Sequence, residues 1–207
     1  MSEQDGDSGV KKSIAITQRV EYTEAVGERR DALSQEWTGL AEVCGFLPLI
    51  LPNHLPAVRE LLAVRKPDGF ILTGGNDLAL YGGSAPERDE LEQFLIQYSV
   101  EQKIPLLGVC RGMQMILNQF GTKLQKVEGH IRVEHILSNG DQVNSFHSWG
   151  ALECQKPLAP VAWSADGVLE SVTHQDCPWV RGIMWHPERY HPPRERDIRL
   201  IKEVFRL

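Results

Sequence analysis

No apolar run in this chain approaches the ~20 residues that cross a bilayer as a helix. The opening residues, MSEQDGDSGVKK, contain no apolar stretch of the kind a secretory signal needs. A basic excess is also missing: 22 Lys and Arg stand against 28 Asp and Glu, for a formal charge of −6. A general nucleic-acid binder needs the opposite balance, because phosphate neutralisation drives its affinity. Cysteine is scarce. Cys44, Cys110, Cys154 and Cys177 are the full set, and no two of them make a CxxC pair. No His/Cys group has zinc-site spacing, and the pattern is not that of a disulfide scaffold. The expectation is a cytoplasmic protein with free thiols, no membrane segment, no nucleic-acid partner and no metal. Internal repeats, linkers and low-complexity blocks are absent too. With 207 residues, 42% hydrophobic and 24% charged, the chain reads as one domain over residues 13–207 behind a disordered leader, residues 1–12.

What is present is alternation. SIAITQRV (13–20) predicts a strand. Residues 28–45 predict a helix, with Ala32, Leu33, Trp37, Leu40, Ala41 and Cys44 near helical spacing and Gly45 as the stop. FLPLILP (46–52) reads as a strand and residues 55–67 as a helix with Pro56 early in it. GFILTGG (69–75) is a buried strand entering a Gly-Gly turn, and residues 88–102 are a helix. IPLLGVC (104–110) is a strand and residues 111–121 a helix closed by Gly121. Shorter strand candidates follow in VNSFHSW, LAPVAWSADG, VLESVTH and WVRGIMWH, and residues 194–207 predict a terminal amphipathic helix. This order implies an open, mostly parallel sheet with helices on both faces.

Three short segments carry chemistry. GVCRG places Cys110 between Gly108 and Gly112 at a strand-to-helix junction. That is the nucleophile-elbow order with Cys in place of Ser, and the helix N-terminus beside the sulfur favours a thiolate. WHPE ends a strand-like run at His186, and Glu188 two residues on shares its face in an extended segment. A base with an orienting carboxylate is what a cysteine nucleophile requires. ILTGG ends a strand in Gly74-Gly75, whose amides are unobstructed and suit an oxyanion. Taken singly, each has a plain alternative: a buried structural cysteine, a surface turn, an ordinary glycine loop.

The order TGG, GVCRGMQ, WHPE resembles the class I glutamine amidotransferase family over nearly the whole chain after the leader. The resemblance implies a flavodoxin-like fold and hydrolysis of a γ-glutamyl amide through a thioester, with no cofactor. It assigns Cys110 as nucleophile, His186 as base, Glu188 as orienting carboxylate, and the amides of Gly75 and Arg111 as the oxyanion hole. ITQRV, VNSFHSWG and SADGVLESV are similar to the stand-alone γ-glutamyl hydrolase branch. That likeness implies a substrate site drawn from Gly74, Asn76, Gln114, Asn144, Ser145, Phe146, His147 and Arg19. Asp166 is a turn candidate and Glu170 a pocket wall suited to an ammonium. The opening through residue 53 is most similar to small hydrolases of capsular phosphoramidate biosynthesis, which act on γ-glutamyl-CDP-amidate. Arg19, Arg88, Arg111 and HIRVEH (130–135) are then candidates for meeting the diphosphate, with ordinary surface charge as the alternative. His130 and His135 read equally as polar residues of a surface loop. The implied partner is a small molecule, and a homodimer is allowed. Competing readings are a glutaminase subunit feeding ammonia to a synthase, a γ-glutamyl-γ-aminobutyrate hydrolase, a non-catalytic sensor on the same fold, and an unrelated cysteine-elbow protein. Cys44, Cys154 and Cys177 are expected to serve packing alone.

Overall fold

A computed structural model describes residues 10–207. The first half alternates. Strand β1 (Ser13–Ile16) leads into a hairpin of β2 (Arg19–Thr23) and β3 (Glu28–Ala32). Helix α1 (Glu36–Cys44), β4 (Leu47–Ile50), α2 (Leu55–Val64), β5 (Gly69–Leu72), α3 (Pro86–Gln102), β6 (Leu106–Val109) and α4 (Arg111–Gln119) follow. Beyond them come β7 (Gln125–Lys126), β8 (Ile131–Ile136), β9 (Gln142–Phe146), β10 (Trp149–Gly150), β11 (Leu158–Trp163), β12 (Leu169–His174), β13 (Val180–Ile183) and α5 (Glu195–Phe205).

Seven strands form one sheet in the order β11-β12-β13-β6-β5-β1-β4. The five from β13 to β4 run parallel, and β12 and β11 complete the edge antiparallel. This is the open, mostly parallel α/β sheet that the alternation predicts, in the flavodoxin-like form that the family resemblance implies. The parallel strands are covered on both sides, so their side chains divide by period two. Ala15, Phe70, Leu72 and Leu106 face a core with α2, α3 and α4. Ile14, Ile16, Ile71, Leu107 and Val109 face a second core with α1 and α5. No helix of the described residues is long and apolar enough to cross a membrane.

The structure corrects three boundaries. The predicted helix over 28–45 begins only at Glu36, and residues 28–32 pair with Arg19–Thr23 instead. Glu28 to Asp31 are all charged and offer no apolar face to bury, whereas Trp37, Leu40, Ala41 and Cys44 do. Asp31 pins the hairpin, accepting hydrogen bonds of 2.8 Å from both the backbone and side-chain nitrogens of Asn53. His130 and His135 do not sit in a surface loop: residues 131–136 form strand β8, paired antiparallel with β9, and His130 just before it is fully buried. The expected leader lies outside the described residues as far as residue 9. Its last residue, Lys12, belongs to the fold: its ammonium donates to the carbonyls of Phe205 (3.0 Å) and Arg206 (2.8 Å) at the end of α5. Those carbonyls lack helical partners and carry the negative end of the helix dipole.

Candidate active site

The site lies where β5, β6 and β13 end. Gly108 of β6 sits level with Leu72 of β5 and Gly182 of β13, so the next residues out bring three separate segments together. Ligand sites in open α/β sheets gather at this carboxyl edge.

Cys110 occupies the turn from β6 to α4 at φ 53° and ψ −106°, a region non-glycine residues seldom enter. The flanking glycines explain how the turn closes. A Cβ on Gly108 would stand 2.6 Å from the Gly112 carbonyl, and one on Gly112 would stand 2.2 Å from the Leu72 carbonyl oxygen. Helix and strand cross too closely for any side chain at either position. The Cys110 amide donates to the Ile183 carbonyl at 2.7 Å, which ties the elbow to β13.

His186 follows β13 and is 2% exposed. Its Nδ1 stands 2.7 Å from Glu188 Oε1, so the carboxylate sets the tautomer and leaves Nε2 toward the thiol side. Nε2 is buried without a hydrogen-bond partner among the described residues. Such contacts are commonly loose before substrate binds. Burial alone would lower the His186 pKa, but the Cys110 thiolate beside it and Glu188 behind it outweigh this and push it up to about 10. The backbone around His186 is held by Asn144, whose Oδ1 accepts from the His186 amide (2.7 Å) and whose Nδ2 donates to its carbonyl (2.9 Å). Phe146 packs edge-on against the imidazole at 5.5 Å. A Cβ on Gly74 would lie 2.6 Å from His186 Cε1 and 3.5 Å from Cys110 Cβ, so this glycine admits both groups.

The loop after β5 is shaped by a buried cation. Arg88 on α3 is fully buried and donates to the carbonyls of Thr73 (2.6 Å), Gly74 (3.2 Å) and Gly75 (2.5 Å), and to Asn76 Oδ1 (3.2 Å). With these carbonyls drawn back toward α3, Gly75 at φ +87° completes the bend. Glu92, also fully buried, accepts from Arg88 Nε (2.9 Å), from the Thr17 hydroxyl (2.8 Å) and from the Arg111 guanidinium. Arg111 also pairs with Asp89. One ionic network thus anchors the Gly74-Gly75 loop and the residue after the nucleophile together. Arg88 and Arg111 are therefore not free to meet a diphosphate: their guanidiniums lie inside the protein and are already paired. The signal the sequence offers for this network is the i,i+4 spacing of Arg88 and Glu92, but a pair of this kind is ordinarily read as a solvated surface contact.

The structure distributes the other candidates unevenly. Gln114 and His147 join Cys110, Arg111, Gly75, Asn76 and Phe146 around one cleft of about 350 Å³. Arg19 joins Gly74, Gly75, His186, Glu188 and Arg189 around an adjoining cleft of about 400 Å³. Asn76 also fastens β2, its amide bonding both the amide and the carbonyl of Val20 at 2.9 and 2.8 Å. Ser145 is fully buried and donates its hydroxyl to the His130 carbonyl (2.8 Å), away from either cleft. Asn144 is engaged on the His186 backbone. Glu170 and Asp166 stand behind His147 in a cluster with His130. Arg189, which the motif reading passed over, stacks on Phe146 at 4.1 Å beside the second cleft. Cys44 and Cys177 are buried and Cys154 is half-buried, and burial pushes all three thiols up, Cys44 to about 11.

Comparison with known proteins bears on this geometry. The γ-glutamyl-CDP-amidate hydrolase of Campylobacter jejuni subsp. jejuni serotype O:2 is 32% identical over 203 residues, covering 94% of this chain and 98% of its own. The γ-glutamyl-γ-aminobutyrate hydrolase of Escherichia coli O157:H7 is 29% identical over 205 residues, covering 78% and 80%. A glutamine amidotransferase structure from Thermotoga maritima superposes with a TM-score of 0.61 at 15% identity, over 95% of this chain and 85% of its own. That last likeness speaks to the fold. The peptidase C26 profile matches residues 12–139 and 123–188, which takes in the Gly74-Gly75 loop, the elbow and the His-Pro-Glu segment: the chain belongs to the peptidase C26 family.

Proposed function

We propose that the chain is a cysteine-dependent hydrolase that cleaves a γ-glutamyl amide and releases glutamate, with γ-glutamyl-CDP-amidate as its substrate. The carrying observation is the convergence, at one sheet edge, of an elbow cysteine, a histidine oriented by a carboxylate, and a loop whose carbonyls are turned away from the thiol. The Cys110 thiolate attacks the γ-carbonyl carbon. The amides of Gly75 and Arg111 take the charge that develops on oxygen. His186 gives its proton to the leaving nitrogen as the C–N bond breaks, which leaves a glutamyl thioester and a neutral imidazole. His186 then takes a proton from water, hydroxide adds to the thioester, and glutamate departs as the thiolate returns.

The two adjoining clefts fit a two-part substrate. The cleft that holds Cys110, Gln114 and His147 takes the glutamyl group. The cleft that holds His186 takes the leaving group, because His186 must reach the departing nitrogen. Arg19 and Arg189 line that second cleft and suit a diphosphate. The 32% identity to the Campylobacter hydrolase over 94% of the chain supports the same choice. The test is glutamate release from glutamine, γ-glutamyl-γ-aminobutyrate, a folate polyglutamate and γ-glutamyl-CDP-amidate, with Cys110→Ala as control. Selective turnover of the nucleotide conjugate, abolished in Cys110→Ala, is expected. Preference for glutamine would favour a glutaminase subunit instead, and undiminished turnover by Cys110→Ala would remove the thioester scheme.

A further inference from the structure

Behind the wall of the glutamyl cleft, with His147 as the residue they share, lies a cluster whose other members the proposed reaction does not use. His130 and Glu170 are fully buried, and His147 is nearly so. His130 Nδ1 stands 3.2 Å from His147 Nε2 and 3.4 Å from Glu170 Oε1, and His147 Nε2 stands 3.4 Å from the same Glu170 oxygen. The ring of His135 lies against His130 with centroids 4.3 Å apart. One donor atom each from His130, His135 and Glu170 fall within 4.8 Å of one another.

Hydrogen-bond accounting shows what this cluster needs. His147 Nδ1 is 3.0 Å from the Trp149 carbonyl, which only accepts, so Nδ1 carries the proton. His130 Nε2 is 2.9 Å from the Asp166 carboxylate, so that nitrogen donates too. With a single proton on His130, at Nε2, two bare nitrogen lone pairs and a carboxylate oxygen turn toward one point with no donor among them; Glu170 and Asp166 raise the His130 pKa, so a second proton on Nδ1 is the competing occupant. Two further buried atoms, His135 Nε2 and Glu170 Oε2, have no hydrogen-bond partner among the described residues. A buried carboxylate oxygen without a partner is costly, and so is a meeting of lone pairs. A cation at the centre resolves both.

We propose that His130 Nδ1, His147 Nε2, His135 Nε2 and Glu170 bind a zinc-type divalent cation. Zinc holds nitrogen and carboxylate ligands at about 2.0–2.2 Å, so the donor atoms of a tetrahedron lie roughly 3.3–3.5 Å apart. The three separations of 3.2, 3.4 and 3.4 Å among His130, His147 and Glu170 match that edge, while His135 stands only within 4.8 Å of His130 and Glu170 and must close in to complete the set. The outer contacts match as well: metal-bound histidines characteristically donate their other N–H to a carboxylate or a backbone carbonyl, here Asp166 and Trp149. Half-buried His135 marks the side from which the ion enters. Its effect is structural. It ties the β8–β9 hairpin, whose ends carry His130 and His147, to Glu170 of β12 in the central sheet, and so stiffens the cleft wall beside Cys110.

The test is zinc content and thermal stability of the full chain, run also as Cys110→Ala so that the elbow thiol offers no competing ligand. Close to one zinc per chain is expected, with a fall in Tm on chelation and recovery on adding zinc. Cobalt loading should give the intense visible bands of a four-coordinate site. His135→Gln, whose side chain is not in the core, should fold yet lose the bands and the zinc-dependent rise in Tm, whereas His191→Ala, at an exposed histidine that pairs with Glu36 outside the cluster, should keep both. Coincident melting with zinc and with chelator in the Cys110→Ala protein would overturn the site and leave a shared proton as the occupant. Retention of cobalt bands by both His135→Gln and Glu170→Gln would overturn it equally.

Discussion

At the scale of single residues, the site depends on absent side chains as much as on present ones. Gly74 is the clearest case, since any Cβ there would sit 2.6 Å from the His186 ring. Gly74→Ala should lower stability by about 1–3 kcal/mol through overpacking and lower kcat by ~100-fold, because displacement of a reacting group by about an ångström has that order of effect. Steady-state kinetics beside a melting curve check this. The His186 proton gives a second expectation. Its pKa is raised to about 10 by Cys110 and Glu188 against the effect of burial, so the imidazolium persists through neutral pH. Turnover should fall as pH rises through that value, when the proton for the leaving nitrogen is lost. The measured value belongs to the Cys110–His186 pair. Glu188→Gln removes a stabilising negative charge and should shift the basic limb of the kcat/KM profile to lower pH. An unmoved limb would assign it to another group.

At the scale of elements, α3 is the strut under the active edge. Arg88 projects from its first turn into the carbonyls after β5, while Glu92 one turn on meets Arg111 from α4. Two loops from different strands are held in one frame by side chains of a single helix. Removing one partner of a buried pair leaves an uncompensated charge, at a cost of about 3–5 kcal/mol. Arg88→Met should therefore destabilise the protein on that order in urea unfolding, and it should lower kcat further than KM changes because the Gly75 amide loses its aim. A variant that melts earlier yet keeps full kcat would show Arg88 to support the fold alone. Much of this scale was legible in advance. Short apolar runs between glycines and prolines marked β1, β5, β6 and β13, and alternating helices marked the parallel sheet. The β2–β3 hairpin was not, because its residues are charged on both strands and pair through backbone bonds that leave little side-chain pattern.

At the scale of the whole molecule, an acidic chain places two arginines at the mouth of one cleft, with Glu36 and Glu188 on the same lining. The net charge is −6, yet the cleft beside His186 is flanked by Arg19 and Arg189. Arg19 is half exposed and among the described residues pairs only with Glu21, at 3.2 Å, so it can turn toward a ligand. Arg19→Ala combined with Arg189→Ala should raise KM for γ-glutamyl-CDP-amidate several-fold more than for γ-glutamyl-γ-aminobutyrate. Added salt should weaken the same preference, since exposed charges are screened over a Debye length of ~8–10 Å. Equal effects on both substrates would place the diphosphate elsewhere. The amino-acid sequence by itself determined the strand-helix order and marked Cys110, His186 and Glu188 as candidates, because glycine spacing and period are local properties; that Glu188 meets His186 from a 3-10 turn over Pro187–Arg189, not along an extended segment, was decided by the fold. Only the tertiary structure decided which charges are available. Arg88 and Arg111 look like surface cations in the sequence and are interior struts in the fold, Ser145 is turned from the cleft, and His130, His135, His147 and Glu170 meet from three segments whose spacing resembles no metal motif. Burial and long-range convergence are properties of the closed sheet, and no window of neighbouring residues contains them.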